Sequence, residues 1–463
     1  MTIVFASSCA TMAIASDRRH APTPLSTEVS VMTNPTPWSL LRFVALLFAA
    51  LAIAACQPTV YLMPTPKALA SGQHDPFTVN PDLERSSRVT VAYATNRLPF
   101  GTRNSRAYMT LFDQGLRLGA AEINIGDGDM SWEQLHQLST TAERGEKIPL
   151  TMRNTVEMAT VDSTAADEAL TAEAKSFFEE LNLAIDKATD KDLTIYVHGA
   201  NSDFYRANAQ AAQLRHFTGR NSVVMTYAWP SAESLLSYAV DVYNSEQTAP
   251  TFARLLELLA RHSNARQIDI IAYSAGAQVA SPALRLLHER HAVGDAQAAR
   301  KALRIGEVYF AAPDIDFEKF VTDLPGHIEL ASHITVAVNP NDKVLSLAAD
   351  HHGVSRAGPP NPDELSVEET RLVIEASRNL EVDFLWIDAG HLPGMSRGAH
   401  DFWYNHPWVS TDVLVQILFN ARPAERGLEP HQGEPGGTVW SFPSDYPERV
   451  SDAIGKLKAS PRT

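Results

Sequence analysis

Short apolar runs recur along the chain between residues 88 and 387, and segments with helical patterning separate them. Most of these runs are apolar at nearly every position, which is the pattern of strands buried on both faces of a parallel sheet. The runs predict strands at 88–94, 121–125, 193–197, 223–229, 268–273, 305–311, 334–338 and 382–387. The segments between and after them predict helices at 164–187, 204–216, 248–262, 275–290 and 408–420. Because strands and helices alternate, we expect an α/β fold with a mostly parallel sheet and helices on both faces.

A shorter apolar run near the amino terminus has a different meaning. Residues 43–55 read FVALLFAALAIAA, which is short for a membrane-spanning helix and has the length of the apolar region of a signal peptide. Arg42 supplies the positive charge before this region, and Met32 makes a more usual start than Met1. We therefore predict a signal peptide over residues 1–55, with translation starting at Met32.

Cys56 follows the apolar run directly, and residues 53–56, Ile-Ala-Ala-Cys, resemble the bacterial lipobox. In that pattern, cleavage leaves the cysteine as the acylated first residue. We therefore predict a lipid anchor at Cys56 in the membrane of the bacterial envelope, and Gln57 favours the outer membrane facing the periplasm. The alternatives are an uncleaved anchor and an ordinary secretory signal with an incidental cysteine.

The composition after the anchor changes at two points. Residues 56–87 are rich in proline and polar residues without a regular period, so they predict a lipid-anchored linker. The alternating elements then occupy residues 88–422, with amino-terminal strands over 88–190 and a core over 191–422.

The last segment, residues 423–463, is a tail rich in glycine and proline. Trp440, Phe442 and Tyr446 are large enough to fix this tail to the body of the protein. Without such contacts, the tail would be loose.

Composition and charge exclude several classes of protein. The chain is 44% hydrophobic and 20% charged, which is typical of a globular protein with a packed core. Its formal net charge of −15 argues against a nucleic-acid partner, because phosphate binding needs clustered Lys and Arg. The only cysteines, Cys9 and Cys56, precede the predicted fold, which leaves neither a disulfide framework nor a thiolate metal site.

Two segments have only a partial resemblance to metal sites. Residues 126–129, Gly-Asp-Gly-Asp, lack the further ligands and the closing glutamate of a calcium loop. The pair His351-His352 has no carboxylate at a spacing that argues for zinc. We interpret the first as a turn and the second as loop surface, and we expect no metal and no cofactor.

The sequence Ala-Tyr-Ser-Ala-Gly at residues 272–276 lies between a predicted buried strand and a predicted helix. This is the context of a nucleophile elbow, a tight turn that needs small residues two before and two after the serine. Ala272 departs from the glycine usual at the first position, and Pro282 predicts a kink or a late start in the helix. We predict that Ser274 is a nucleophile rather than a surface serine before an ordinary helix.

A serine nucleophile also needs donors that bind the developing oxyanion. Residues 198–201, His-Gly-Ala-Asn, end a predicted strand and resemble the loop that supplies this site in lipases and esterases. We predict the backbone amides of Ala200 and Ala275 as the donors, since Ala275 begins a helix, where the dipole favours negative charge. We interpret His198 as a structural residue of this loop.

Several further sequence pieces lie along the predicted domain, and they are YATNR at 93–97, YVHGANSDFYRANAQAAQL, VVMTYAWPS, the Tyr238-x-x-Asp241 that follows, AYSAGAQV, VYFAAPDID and NPNDKVLSL. Together these pieces resemble a family of bacterial α/β-hydrolases of unknown function. The resemblance covers about residues 88–420 and implies the α/β-hydrolase fold, with a catalytic serine, aspartate and histidine in that order along the chain. It provides no agreed substrate.

The resemblance implies an acid in the turn Asn-Pro-Asn-Asp-Lys at residues 339–343, which follows a predicted strand. Asp342 is therefore our candidate. Asp314 and Asp316 are alternatives, because some α/β-hydrolases have the acid one strand earlier. The insertion at residues 350–381 is a candidate lid over the site.

Three histidines between the last predicted strand and the last helix are candidates for the general base. His391 follows a glycine directly after the strand, as in many α/β-hydrolases. His400 fits the resemblance better, because HDFWYNHP leads from the family's histidine into the last helix. We predict His400 as the base and interpret His406, at the helix entrance, as structural.

These residues together predict a serine hydrolase that cleaves a small-molecule or lipid carboxylic ester through an acyl-enzyme. Trp229 ends a strand at the edge where α/β ligands bind, so it either lines the acyl pocket or belongs to the core. The competing hypothesis is a non-catalytic envelope lipoprotein that uses the same fold for binding, because a fold does not determine a function.

Overall fold

The computed structural model describes residues 59–459, except residues 71, 129, 163–169, 233–237, 380 and 434–435. The predicted signal peptide, the start at Met32 and the acylated Cys56 lie outside the described residues. The beginning of the helix predicted over 164–187 also lies outside them.

The described part of the chain contains one mixed β-sheet. Its strands are β1 (Arg88–Thr102), β2 (Ser105–Ile125), β3 (Leu150–Asp162), β4 (Leu193–Val197), β5 (Val223–Tyr227), β6 (Ile268–Tyr273), β7 (Ile305–Ala311), β8 (His333–Val338), β9 (Val382–Trp386), β10 (Glu429–Gln432) and β11 (Thr438–Ser441). Their order across the sheet is β10-β11-β9-β8-β7-β6-β4-β5-β1-β2-β3.

Neighbouring strands are parallel from β11 across the sheet to β1. Antiparallel pairing adds β10 at one margin and β2 with β3 at the other. The mostly parallel sheet is therefore confirmed. The carboxyl ends of the parallel strands lie along one side of the sheet, which we call the carboxyl edge, and the loops that follow these strands begin there.

The helices in the described residues are α1 (Trp132–Ser139), α2 (Ala172–Lys187), α3 (Phe204–Phe217), α4 (Tyr238–His262), α5 (Ala277–His291), α6 (Ala296–Leu303), α7 (Phe317–Leu330), α8 (Lys343–His352), α9 (Val367–Arg378), α10 (Phe402–Asn405), α11 (Pro407–Phe419) and α12 (Tyr446–Ala459). Helices α2, α4, α5, α6, α7 and α9 contribute to one core, and α1, α3, α11 and α12 contribute to another. No helix in this part of the chain is both long and apolar enough to cross a bilayer.

The strand prediction succeeded at the centre of the sheet because helices cover the strands there on both faces. Every residue of β4, β5, β7 and β8 is buried. Strands covered on both faces need apolar side chains at nearly every position, so their sequences are continuous apolar runs. The prediction misses β3, whose burial alternates, and the outer halves of β1 and β2, which are largely exposed or half-buried and include many polar residues.

The segment predicted as a linker is instead part of the folded body. Residues 59–79, which we call the amino-terminal arm, bury Val60, Leu62 and Met63. The Lys67 amide donates to the Pro407 carbonyl at 2.9 Å, and His74 Nε2 lies 2.9 Å from the Ser451 carbonyl oxygen. The proline-rich composition therefore reflects an extended chain that packs on helices, rather than a free tether.

The tail is also ordered, so the domain does not end at residue 422. Strands β10 and β11 pair with each other, and β11 continues the sheet beside β9. Trp440, Phe442 and Tyr446 are all buried, as the interpretation with a fixed tail required. Helix α12 then packs against α11, where the ring centroids of Tyr446 and Trp408 lie 5.5 Å apart.

The insertion predicted as a lid is attached to the body of the domain. Arg356 is buried and donates from Nε to Asp314 Oδ1 at 2.7 Å. Helix α9 follows and buries Ala376 and Ser377. These contacts anchor the insertion on both sides of residue 360, and the lid hypothesis loses its support.

Candidate active site

The backbone at Ser274 has the geometry of a nucleophile elbow. Strand β6 ends at Tyr273, residues Ser274–Gly276 form a single 3₁₀ turn, and α5 begins at Ala277. Ser274 has a φ of 52°, in the left-handed region that residues other than glycine rarely adopt. Such conformations cost free energy and cluster at functional sites.

Two glycines allow the loop after β4 to pack directly against this elbow. A Cβ at Gly199 would lie 2.9 Å from the Ser274 Cβ, and a Cβ at Gly276 would overlap the Val197 carbonyl oxygen. Any side chain at either position would therefore separate the two loops. The small residues of both predicted motifs serve this close approach.

His400 connects the serine to an aspartate. Its Nε2 lies 2.8 Å from Ser274 Oγ, and its Nδ1 lies 2.7 Å from Asp342 Oδ2. Asp342 is fully buried, whereas the His400 side chain is 13% exposed. The network fits a tautomer in which Nδ1–H donates to the carboxylate and Nε2 accepts from the serine hydroxyl. The structure thus brings together the three residues that the sequence predicted as nucleophile, acid and base.

The Asp342 carboxylate is fixed by the start of the next helix. Asp342 is the N-cap of α8, and its Oδ1 accepts hydrogen bonds from the amides of Val344 at 2.9 Å and Leu345 at 3.0 Å. One oxygen therefore caps the helix, while the other faces His400. This division holds the carboxylate in one orientation without further side chains.

Residues 173–392 match the family model described as an alpha/beta hydrolase of unknown function (DUF900). This segment belongs to that α/β-hydrolase family. The predicted family and the α/β-hydrolase fold are therefore confirmed, and the family supports hydrolase activity in general terms. The matched segment contains Ser274 and Asp342 and ends before His400. The place of His400 in the site rests on its contacts with these two residues. No curated protein and no solved structure matches the chain.

The alternative acids of the hydrolase domain do not contact His400. Asp314 Oδ1 instead accepts from the buried Arg356, and its amide donates to the Ser274 carbonyl at 3.0 Å. Asp316 caps α7 by accepting from the Lys319 amide. Asp314 thus supports the elbow through its backbone.

The alternative histidines are likewise separate from the serine. The His391 side chain is 62% exposed and lies 3.8 Å from Asp388. His406 accepts from the Trp408 amide at the start of α11, and its Nε2 lies 3.1 Å from the Pro393 carbonyl. These contacts give His406 the structural place that its sequence position indicated.

His198 and Trp229 form a buried pair behind the loop after β4. Their rings stack with centroids 5.3 Å apart, and Trp229 Nε1 donates to the His198 carbonyl at 2.7 Å. Burial lowers the pKa of His198 to about 3, so its ring is neutral at physiological pH. Trp229 is fully buried and offers no surface to a substrate, so of its two interpretations the structure supports the core residue and not the lining of an acyl pocket.

Arg97 and Asp241 hold the loop that carries Ala200. Arg97 is fully buried and donates from Nη2 to the Ser202 carbonyl at 2.6 Å. The Asp241 carboxylate accepts from the amides of Ala232 and Asn201. Neither residue has a role that its sequence predicts, although both belong to pieces that resemble the family, YATNR and Tyr238-x-x-Asp241. Ala275 directly follows Ser274, and the oxyanion role of both amides stays a prediction.

Asp241 should make the stability of the domain depend on pH. Burial raises the pKa of its carboxyl group to about 6, although amide hydrogen bonds and Arg97 oppose the shift. A raised pKa means that the fold favours the neutral acid, so this contribution to stability is lost as pH rises from about 4 to about 6. Asp241→Asn should therefore raise the free energy of unfolding at pH 7.5 by on the order of 2 kcal/mol.

Urea unfolding of both proteins at pH 4 and pH 7.5 checks this expectation. The difference between variant and wild type should shrink at pH 4, where the wild-type acid is protonated in the folded protein and about half protonated in the unfolded chain. If the two proteins were equally stable at pH 7.5, this would contradict a raised pKa at the buried Asp241 carboxyl group.

Asn339 connects the loops that carry Asp342 and His400. Its Nδ2 donates to the carbonyls of Arg397 at 3.1 Å and Ala399 at 2.7 Å, next to His400. Its own carbonyl accepts from the Asp342 amide. Asn339 is buried, so no solvent replaces these bonds. It is a positioning residue for the acid and the base together.

Asn339→Ala should lower kcat by about 10- to 100-fold, because small displacements of a base from its nucleophile reduce rates steeply. KM for a short soluble ester should change little. Arg397→Ala is the control, since the Arg397 side chain is exposed and donates to the Asn341 side chain, while its backbone carbonyl is unchanged in the variant. It should leave kcat within about two-fold. Steady-state kinetics of the two variants measure the difference, and equal effects would count against a positioning role.

Other features of the domain lie apart from this site. A cavity of about 280 Å³ lies between the amino-terminal arm, α11 and α12, and its wall includes Leu69, Leu414 and Ile454. None of the three residues of the serine network lines it. In the described part of the chain, no three His, Cys, Asp or Glu side chains lie close enough together to hold a metal ion.

Proposed function

We propose that the protein is a serine hydrolase that cleaves carboxylic esters through an acyl-enzyme. The observation that carries this proposal is the continuous chain of hydrogen-bond distances from Ser274 Oγ through His400 to Asp342, at 2.8 Å and 2.7 Å. The family supports hydrolysis in general, and the serine network supports this particular mechanism.

In the first half of the reaction, Ser274 Oγ attacks the ester carbonyl carbon while its proton moves to His400 Nε2. Asp342 stabilises the imidazolium that forms and keeps Nδ1 protonated. The tetrahedral intermediate then expels the alcohol, which takes the proton from Nε2. The product of this half-reaction is Ser274 acylated on Oγ.

In the second half, water replaces the alcohol. His400 takes a proton from the water, the hydroxide attacks the acyl carbon, and Ser274 leaves with the proton returned from Nε2. The amides of Ala200 and Ala275 bind the oxyanion in both halves. The left-handed backbone at Ser274 and the close packing of Gly199 support this part of the proposal, because they hold both loops in place around the serine Oγ.

Labelling with a fluorophosphonate probe tests the proposal directly. The wild-type protein should be labelled, and Ser274→Ala should not. Ser332→Ala, a serine just before β8 at the opposite side of the sheet, should be labelled like the wild type. A folded wild-type protein without labelling would reject the enzyme and favour the non-catalytic binding protein instead.

We also propose that Cys56 is acylated and holds the protein in the bacterial envelope, in the outer membrane facing the periplasm. The lipobox-like residues 53–56 support this proposal. Metabolic labelling with a fatty-acid analogue should mark the wild type, and Cys56→Ser should lose both the label and the association with the membrane fraction. A Cys56→Ser protein that still carries the label would reject the anchor.

A further inference from the structure

Large apolar side chains are exposed unevenly over the described residues. Of the fifteen that are exposed, ten belong to segments at the carboxyl edge, where Ser274 lies. Four are in the β1–β2 hairpin, two in the first turns of α4, three in α8 and the residues after it, and one at the end of β9. Large apolar side chains that are exposed together on one side of a soluble domain usually mark an interaction site.

The hairpin projects past the carboxyl edge. Strand β1 pairs with β5 only at residues 92–94, and β5 ends at Tyr227, so the later residues of β1 continue beyond the parallel strands. The pairing register shows which side chains share a face of the hairpin, because directly paired residues in an antiparallel ladder point to the same side. The buried Arg97 and Tyr108 define the inner face of the hairpin. The opposite face exposes Leu98, Phe100, Met109 and Leu111, by 36%, 49%, 43% and 58%.

Helices α4 and α8 bring further apolar side chains to the same edge. Asn96 Nδ2 donates to Thr248 Oγ1, so the residues of α4 before Thr248 extend beyond the strands beside the hairpin. There, Val240 is 51% exposed and Tyr243 is 61% exposed. Helix α8 begins at the candidate acid and exposes Leu347 by 71%. We call these three groups, on the hairpin, α4 and α8, the apolar rim.

We propose that the apolar rim docks on a lipid–water interface and that the substrates are esters embedded in that interface. This inference rests on the proposed function, and it adds the substrate class. The rim stands on separate elements on different sides of the serine rather than along one groove. Such an arrangement fits a flat, yielding surface and leaves the serine facing it.

The position of the amino terminus supports a membrane as the occupant. The Val60 amide donates to Tyr205 Oη at 3.1 Å, and Tyr205 belongs to the first turn of α3, which starts from the carboxyl edge. Residues 57–59 span at most about 11 Å when extended. The Leu150 amide also donates to the Val60 carbonyl at 2.8 Å, at the first residue of β3. An acylated Cys56 would therefore hold the domain on a short tether to a bilayer, which makes a membrane the lipid surface available to the apolar rim.

Vesicle binding with two matched leucines tests the proposal. Leu111 is 58% exposed on the rim, and Leu183 is 59% exposed near the end of α2, at the opposite side of the sheet. Both are changed to serine in the full chain carrying Cys56→Ser and Ser274→Ala, so that neither an acyl chain nor turnover contributes. Leu111→Ser should lower the partition onto phosphatidylcholine vesicles about ten-fold, and Leu183→Ser should not.

Other outcomes of the same experiment would overturn the proposal. Equal partition of the two leucine variants would reject the rim. Binding that disappears in about 1 M salt, where the Debye length is about 3 Å, would be electrostatic rather than apolar. Self-association that Leu111→Ser abolishes, without vesicle binding, would assign the surface to a second copy.

Activity distinguishes failure of this inference from failure of the proposed function. In the protein with Ser274 intact, Leu111→Ser should keep fluorophosphonate labelling and hydrolysis of a short soluble ester. Hydrolysis of a long-chain ester dispersed in vesicles should fall about ten-fold. Labelling without this selective loss would reject the interface alone, whereas absent labelling would reject the enzyme.

Discussion

Replacing His400 with alanine should lower kcat by on the order of 10⁶-fold, as expected when one member of a catalytic unit is removed. His400 is the side chain that contacts both Ser274 Oγ and Asp342, so the serine loses its base and the acid loses its partner at once. The hydrolysis rate of a soluble ester, measured at saturating substrate, gives this loss.

His391→Ala is the matched control for the base. The His391 side chain is 62% exposed and makes no contact with Ser274, so this variant should retain kcat within about two-fold. Far-ultraviolet circular dichroism should show that both variants are folded. Loss of turnover in His391→Ala alone would move the base to the other end of the loop.

Asp342→Asn should lower kcat by about 10⁴-fold while leaving the fold intact. With its oxygen held by the first amides of α8, the asparagine presents Nδ2 to His400, and this nitrogen cannot accept from Nδ1–H, so the imidazole is held in the wrong tautomer. Asparagine is a good N-cap residue, so Oδ1 still accepts from the first amides of α8 and the free energy of unfolding should change by less than about 1 kcal/mol.

Asp314→Asn should have the opposite profile. It breaks a buried ion pair with Arg356, which costs about 3–5 kcal/mol of stability, whereas kcat should fall less than about ten-fold. Measurements of kcat and of urea unfolding on both variants distinguish a catalytic role of Asp342 from a structural role of Asp314. If Asp314→Asn had the larger effect on kcat, the acid would lie one strand earlier.

The centre of the fold and the candidate site were predictable from sequence for the same physical reason. Strands β4, β6 and β7 have the predicted bounds, because burial on both faces requires apolar side chains at nearly every position. Ser274 and the loop at Ala200 directly follow β6 and β4, so they were predictable with these strands. Asp342 follows β8, but its choice over Asp314 and Asp316 needed the family resemblance. His400 lies thirteen residues after Ile387, where the last predicted strand ends, and it needed the resemblance.

The margins of the fold were harder to predict because their contacts are long-range. The amino-terminal arm has no regular period, and its amides bond to groups such as Gln213 Oε1 and Thr411 Oγ1. Trp229 lies directly after a buried strand, at the carboxyl edge. Nothing in its sequence context showed that the ring of His198 would stack on it. Asn339 was part of the quoted turn, although its role depends on a loop almost sixty residues later.

The contacts of the arm also determine when the domain can close during synthesis. Ala68 bonds to a residue 343 positions later, and His74 to one 377 positions later. At about 5–20 residues per second, a ribosome needs roughly 20–75 seconds to make that stretch of chain. The beginning of the domain is therefore the last part to reach its native contacts, and a nascent chain stays incompletely folded until nearly all of it has been made.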